Sequence, residues 1–421
     1  LNPTPAATVS IDAALVTAVF VATYLGMALG RWPGLRLDRT GIAILGAILL
    51  YASGAVSGDE VLAAIDWATL FVLFGLMILS AQFAACGFYD WCSARIAASP
   101  AGPAALLALT VAVAGTLSAV LANDVVVFAM TPMLIKGLVS RGLDPRPYLI
   151  ALAGGANAGS AATVIGNPQN ILIAQVGRLD FWEFSRVCAP PAVMGLILVY
   201  VVVWLVWRRR LRHPTAAASA PVPMPAVDRF GVGKGMLATA ALLAMFAGPV
   251  PYVTGVSIIA AMLLISRRLA TREILGLVDW HLLVLFAGLF VVTAALAATG
   301  VPAALLAQAT ASGLDPGSLP TLVPITLVGS NTIGNVPAVV LLLAVLPELP
   351  AETSYRLAVL STLAGNLLVV GSLANIIVVE RARQAGVALG FADHARCGVP
   401  MTVASVAAAC AWFIGRSMLD P

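Results

Sequence analysis

The chain has 421 residues, of which 61% are hydrophobic and 10% charged, with a formal charge of +4 and a mean hydropathy of +0.99. A soluble domain carries about 25% charged residues, so water is excluded as the solvent for most of this surface and lipid takes its place. The apolar runs are continuous and about 17–22 residues long, enough to cross ~30 Å of hydrocarbon as helix, and they lack the alternation of a closed barrel. An all-α polytopic membrane protein is expected.

In chain order, the opening LNPTPAATVSIDAALV lacks a basic n-region, so no cleaved signal peptide is expected. Spanning helices are predicted near 12–30, 39–57 and 67–87. The segment 103–135 is apolar but interrupted by Ala122-Asn123-Asp124-Val125, and reads as a re-entrant hairpin with a polar tip. Spans follow near 148–165 and 188–207. Within them VIGNPQNILIA places Gly166, Asn167, Pro168, Gln169 and Asn170 in consecutive positions and breaks a helix over 148–177. The stretch 208–234 is Arg-rich and then Pro/Ala-rich, a linker outside the bilayer. Beyond it, spans are predicted near 236–252, 255–270, 280–299, 355–371 and 397–415. A second hairpin covers 320–346, interrupted by GSNTIGNVP, and a second broken helix covers 355–382, interrupted by GSLAN. Non-helical backbone at membrane depth is tolerated only against protein or a water-filled cavity, so both tips and both breaks mark one.

The chain is two copies of one plan. TGIAILGAILL from Thr40 resembles TGVSIIAAMLL from Thr254, and DWATLFVLFGL from Asp66 resembles DWHLLVLFAGL from Asp279. LANDVVVFAMTPML aligns Asn123 with Asn335, and GNPQNILIA aligns Asn170 with Asn375. Four blocks in one order, about 205–214 residues apart, define an internal repeat, with 1–207 as the first copy and 235–421 as the second. Five crossings per copy make the copies inverted. With the linker cytoplasmic, every Lys and Arg falls on the cytoplasmic side except Arg178, Arg186, Arg356 and Arg416, as the positive-inside rule requires. Both termini are then periplasmic, and a bacterial inner membrane is expected.

Inverted repeats with broken helices are the architecture of secondary transporters, with sites at the repeat interface. Pro168 has no N–H to continue the helical ladder, and Gly166 tolerates open backbone geometry. Unwound carbonyls and the Asn167 and Asn170 amides can replace an ion's hydration shell. Asn157, Ser160, Thr163 and Asn366, with Ser330, Asn331 and Thr332, are further polar positions that either join the site or bond helix to helix. Asp124 is a carboxylate inside an apolar segment, an expensive placement that points to function. It could carry a proton or coordinate a cation, or it could be a structural cap at a helix N-terminus. Its repeat counterpart is Val336, so its role is asymmetric. Asp66 and Asp279 read as interfacial or N-cap residues.

The five cysteines form no CxxC pair and the three histidines no metal set. No Walker, HExxH or GxSxG motif appears, so no enzyme, cofactor or nucleic-acid partner is expected. Transport must be driven by a Na⁺ or H⁺ gradient, or by a separate subunit such as a cytoplasmic ATPase.

LANDVVVFAMTPMLI, GNPQNILIA, SNTIGNVPAVVLLL and GSLANIIVVERAR resemble the ion transporter superfamily: arsenite permeases, citrate and dicarboxylate transporters and sodium/proton exchangers. The bacterial citrate- or arsenite-permease-like branch is the nearest. The resemblance implies a scaffold and a moving transport unit, often in a homodimer, working by an elevator motion. It pairs Asn123 and Asp124 with Gly166, Asn167 and Asn170 in one site, and Asn335 with Gly371, Ser372 and Asn375 in the other. The chain departs from the sodium-coupled dicarboxylate branch at the first tip, where Ala122-Asn123-Asp124 stands for Ser-Asn-Thr. The function expected is gradient-driven transport of a small anion or neutral oxyacid. A sodium/proton antiporter is the alternative, and a passive channel a third reading.

Overall fold

The computed structural model describes residues 8–30, 34–211, 224–248, 250–346 and 349–419. The first half contributes α1 (Thr8–Leu29), α2 (Arg39–Ala52), α3 (Gly58–Ala64), α4 (Trp67–Ala85), α5 (Phe88–Ala98), α6 (Pro103–Val120), α7 (Asn123–Ser140), α8 (Arg146–Ser160), α9 (Pro168–Val176) and α10 (Phe181–Leu211). The second contributes α11 (Arg229–Phe246), α12 (Tyr252–Leu264), α13 (Thr271–Leu275), α14 (Trp280–Ala298), α15 (Val301–Ala311), α16 (Leu319–Thr332), α17 (Asn335–Val345), α18 (Ala351–Ala364), α19 (Leu373–Gln384) and α20 (Phe391–Leu419). Among the described residues, seven helices are long and apolar enough to cross a membrane, accompanied by shorter apolar ones.

The second ten helices repeat the first ten down to single hydrogen bonds. Asp66 caps α4 by accepting from Thr69 N at 3.1 Å, and Asp279 caps α14 by accepting from Leu282 N at 3.0 Å. This satisfies backbone donors that a helix start leaves open. The Trp67 indole donates to Leu62 O and the Trp280 indole to Leu275 O. Gly87 and Gly300, at φ 72° and 74°, turn the chain into α5 and α15 through the left-handed region that glycine enters without steric cost. Those two short helices were not anticipated: the mixed polarity of FYDWCSARIAA in α5 gives no span-like run. Several span bounds also shift: α2 and α12 end about five or six residues early, at Ala52 and Leu264. α10 and α20 start earlier than expected, and α11 starts at Arg229 because Asp228 caps it, accepting from Phe230 N. Arg31, Arg212 and linker positions 212–223 lie outside the described residues.

The matched bonds place the halves about an approximate two-fold axis, across which equivalent helices run in opposite directions. α10 and α20 occupy matching places in the two halves and pack antiparallel: the Trp207 indole reaches Cys397 Sγ at 3.3 Å and the Trp412 indole reaches Val187 O at 3.0 Å. Two ion clusters mark the opposite ends of this pair. Asp144, Arg146, Arg210 and Asp393 gather at one; Glu183, Arg186, Glu352, Arg356 and Arg416 gather at the other. The copies are therefore inverted.

Packing separates two bodies. α1, α2, α4, α11, α12 and α14 pack mainly among themselves, with α2 against α14 and α12 against α4 as a symmetric exchange. The hairpins α6–α7 and α16–α17, the broken helices α8–α9 and α18–α19, and α10 with α20 form the second body. At its centre α8 is buried on every side. Its small residues permit this: a Cβ on Gly155 would lie 3.2 Å from Val111 O, and one on Gly159 would overlap the Gly115 backbone.

Candidate functional site

Each break is closed by its own amides. At the first, α8 ends at Ser160 and α9 begins at Pro168, whose missing N–H costs nothing at a first helical position. Asn167 is the N-cap and accepts from Asn170 N at 2.9 Å. Its Nδ2 donates to Ser160 Oγ at 3.0 Å. The Asn170 Nδ2 donates to the carbonyls of Ser160 and Thr163, at 3.1 and 2.9 Å. At the second break α18 ends at Ala364, a 3-10 turn covers Val369–Gly371, and α19 begins at Leu373. The Asn375 Nδ2 donates to the carbonyls of Gly365 and Leu368, at 2.8 and 3.1 Å. Asn170 and Asn375 thus serve the carbonyls 10 and 7 residues behind them, one device used twice. Much of the hydrogen-bonding capacity of Asn167, Asn170 and Asn375 is spent on the protein itself.

The breaks are then cross-bonded over the two-fold axis. Asn157 Oδ1 accepts from Ser372 Oγ at 2.9 Å, and its Nδ2 donates to Asn375 Oδ1 at 3.1 Å. The mirror-related bonds run from Asn167 Nδ2 to Thr362 Oγ1 at 3.2 Å, and from Thr362 Oγ1 to Asn170 Oδ1 at 3.4 Å. Asn157 adds a bond to Asn366 Oδ1 at 2.8 Å, while Asn366 Nδ2 donates to Gly154 O. Asn157, Ser160, Asn167, Asn170, Asn366, Ser372 and Asn375 therefore form one buried polar core, joined by Thr362 and Gln169, which the sequence did not single out. Gly166 and Gly371 occupy equivalent positions; a Cβ on Gly166 would overlap Ser160 O, and one on Gly371 would overlap Asn331 Oδ1.

The hairpin tips sit against these breaks. α6 ends at Val120 and α7 begins at Asn123; α16 ends at Thr332 and α17 begins at Asn335. Asn123 N donates to Gly166 O at 3.3 Å, and Thr163 Oγ1 donates to Ala119 O. At the second tip Asn331 Nδ2 donates to Ala364 O and its Oδ1 accepts from Leu368 N, at 2.9 and 3.1 Å. Ser330 Oγ donates to Ser361 O, and Asn335 Oδ1 accepts from Val336 N. Thr332 is exposed and bonds only back into its own helix, apart from this cluster.

Two buried groups of the first tip stand out. Asn123 Oδ1 and Ser118 Oγ have no hydrogen-bond partner among the described residues. Both adjoin Gly166: Asn123 through its backbone bond, and Ser118 through its carbonyl, 2.9 Å from where a Gly166 Cβ would lie. A buried polar oxygen left unbonded costs about 1–3 kcal/mol, so the pair is suited to accept a cation or a donor group. Ser118 matches Ser330 in the repeat, the one signal by which the sequence could have found it.

A cavity of about 750 Å³ lies between the two bodies, lined by Ala122 and Asp124 beside the first tip and by Ile165 and Asn167 beside the first break. α4 supplies Leu73, Leu76 and Met77, and the start of α14 supplies Asp279 and His281. Facing them are Asp124 and Phe128 of α7, Asn167 and Pro168 at the first break, and Arg381 of α19. Asp124 stands in the first turn of α7. Arg381 was counted among the cytoplasmic positives; its place, two turns beyond the second break, puts it in the cavity.

The sequence model of the citrate transporter family, CitMHS, matches residues 24–359. The chain belongs to this family. It is a multi-pass membrane transporter and not an enzyme. It is 28% identical to an uncharacterized transporter of Mycobacterium tuberculosis over 415 residues, covering 93% of this chain and 96% of that protein. It is 27% identical to the silicon efflux transporter LSI3 of Oryza sativa subsp. japonica (88% and 91% covered), and 24% identical to the putative transporter arsB of Dictyostelium discoideum (92% and 89%). In fold it is similar to the YdaH transporter of Alcanivorax borkumensis, with a TM-score of 0.56 at 14% identity over 97% of this chain and 98% of that one.

Proposed function

We propose that this citrate-family chain is a gradient-driven secondary transporter of a small anion or neutral oxyacid, working by an elevator-type alternating access. The observation that carries the reading is the cavity that runs along the seam between the two helical bodies and ends on the first tip and break. A substrate held there by α7, α9 and α19 would travel with the hairpin body as it slides on the other. The cross-bonded amides make the two breaks one rigid piece, as such a motion requires. The names of the plant silicon and Dictyostelium arsB-like relatives support a neutral oxyacid, and the family name supports citrate.

The coupling ion is assigned to the first tip. Asn123 Oδ1 and Ser118 Oγ, buried and without partners among the described residues, suit Na⁺, a hard cation that takes oxygen ligands, while Asp124 at the cavity wall suits a proton. The second tip and break, with Asn335, Gly371, Ser372 and Asn375, form the matched half-site. The halves divide near 207 and 235, with the linker cytoplasmic, both termini periplasmic and two chains in a homodimer. The same carboxylate and orphaned amide favour sodium/proton antiport as the second reading. Uptake into proteoliposomes with imposed pH or Na⁺ gradients, using citrate and arsenite, tests both. Accumulation of a solute under a gradient supports the transporter, gradient dissipation without solute supports the antiporter, and flux that never exceeds equilibrium overturns the coupled mechanism.

A further inference from the structure

The two half-sites are alike in backbone and unlike in chemistry. Superposing the repeats by their matched hydrogen bonds pairs Asp124 with Val336, Phe128 with Val340, Asp90 with Ala303, His281 with Ala68 and Arg381 with Val176. The first-named residue of each pair lines the cavity at the first tip. At these five pairs the polar or aromatic member sits at the first tip and its counterpart in the other copy is aliphatic.

We propose that Arg381, seated on the Phe128 ring, is the residue that selects an anionic substrate in this cavity, a proposal that rests on the transport reading above. The guanidinium carbon lies 3.4 Å from the Phe128 ring centroid. A cation on an aromatic face is held electrostatically while its N–H edge stays free for bonding. One edge nitrogen, Nη1, donates to Gln384 Oε1 at 3.2 Å. No ion pair joins Arg381 to a carboxylate among the described residues, in contrast to Arg146, Arg210, Arg356 and Arg383, each of which has an acidic partner. Three carboxylates share the cavity lining with Arg381: Asp279 accepts the backbone N–H of Leu282 as a helix cap, and neither Asp90 nor Asp124 forms an ion pair with Arg381 among the described residues. Arg381 is thus a pre-positioned planar donor with an unneutralised charge, facing a cavity large enough for a small carboxylate. A fork of N–H groups matches a carboxylate or oxyacid anion in two parallel bonds. Because Arg381 belongs to the second half and Asp124 and Asn167 to the first, such a ligand would touch both repeats at once.

The test uses the purified full-length chain, with citrate and succinate as anionic probes and arsenous acid, neutral at pH 7, as the uncharged one. Binding is read by calorimetry, and flux in proteoliposomes is read separately. Wild type should bind at least one anion. R381Q should weaken that binding by about tenfold or more, the loss expected for a charge-assisted bidentate contact. R381K should fall between them, F128A should weaken binding by a smaller factor, and arsenous acid should be insensitive to all three. Equal anion affinity in wild type and R381Q overturns the proposal, as does a wild type that binds neither anion. If R381Q does not yield a monodisperse protein, R381K and F128A decide by the same criterion. Anion binding that needs Arg381 in a protein showing no coupled flux sinks the transport reading alone. Coupled flux that ignores Arg381 sinks this proposal alone.

Discussion

Replacing Asn157 by Leu removes the most connected side chain of the polar core while keeping its branched four-atom skeleton, at the cost of some overpacking in a buried helix. Three bonds are lost: from Ser372 Oγ at 2.9 Å, to Asn375 Oδ1 at 3.1 Å and to Asn366 Oδ1 at 2.8 Å. Interhelical hydrogen bonds in membrane proteins average about 0.6 kcal/mol, which gives ~2 kcal/mol for three. The abandoned partners are buried, and each that finds no substitute adds about 1 kcal/mol or more. Asn157→Leu should therefore destabilise by about 2–4 kcal/mol. The mirror change, Thr362→Val, removes bonds of 3.2, 3.3 and 3.4 Å. These are longer, and the loss should be nearer ~1 kcal/mol. Equilibrium unfolding in mixed detergent–SDS micelles measures both. The order Asn157 above Thr362 is the signature of this network. A change within about 0.5 kcal/mol of wild type for Asn157→Leu would show that the amides do not fasten the two breaks together.

Asp124→Asn should preserve the fold and abolish gradient-driven accumulation while flattening its dependence on pH; proteoliposome flux between about pH 5.5 and 8.5 checks this, and an unchanged profile would reduce Asp124 to a helix cap. Gly166→Ala should impair folding more than Gly371→Ala, because the first new methyl meets the Ser160 and Ser118 backbone whereas the second chiefly meets the movable Asn331 amide; relative yields of monodisperse protein report the order. Asp144 lies between α7 and α8, where burial pushes its carboxyl up but hydrogen bonds and charge from Arg146, with Arg210, outweigh this and hold it below the usual value. Its stabilisation is present above the unfolded-state value of about 3.9 and is lost as pH falls through the folded one. Asp144→Asn should therefore melt below wild type at neutral pH, and the difference should shrink in acid; a gap independent of pH would refute the ionic origin.

The sequence was most legible where both halves kept the same residue for the same bond. Asn123 and Asn335 open α7 and α17, Asn170 and Asn375 close the breaks, and Asp66 and Asp279 cap matched helices, so alignment alone located them. It was least legible where the partners diverged. Asn157 faces the axis opposite Thr362, and Asn167 corresponds to Ser372; unlike residues at shifted spacing conceal a symmetric pair of bonds. Residue type alone does not separate the helix-capping role of Asn167 from ion ligation, because a side chain capping a helix after a break and one chelating an ion are of the same kind. Ser118 lies in an ordinary-looking helix, and nothing in TLSAV signals that its hydroxyl is left without a partner. Arg381 sits in a charged run that reads as solvent-facing, and only the path of α19 beside α7 brings it to the cavity. Of the short helices, α5 escaped because its composition is mixed, and α15, though apolar, because eleven residues are too few to read as a span.

The antiparallel pairing of α10 with α20 bears on how far the two copies can differ. Two copies of one surface meet across a two-fold axis, so that surface is complementary to itself, as in an isologous dimer. Holding both copies in one chain frees each from having to suit both places at once. A residue changed in one half need not change in the other, and a charge needed once need not appear twice.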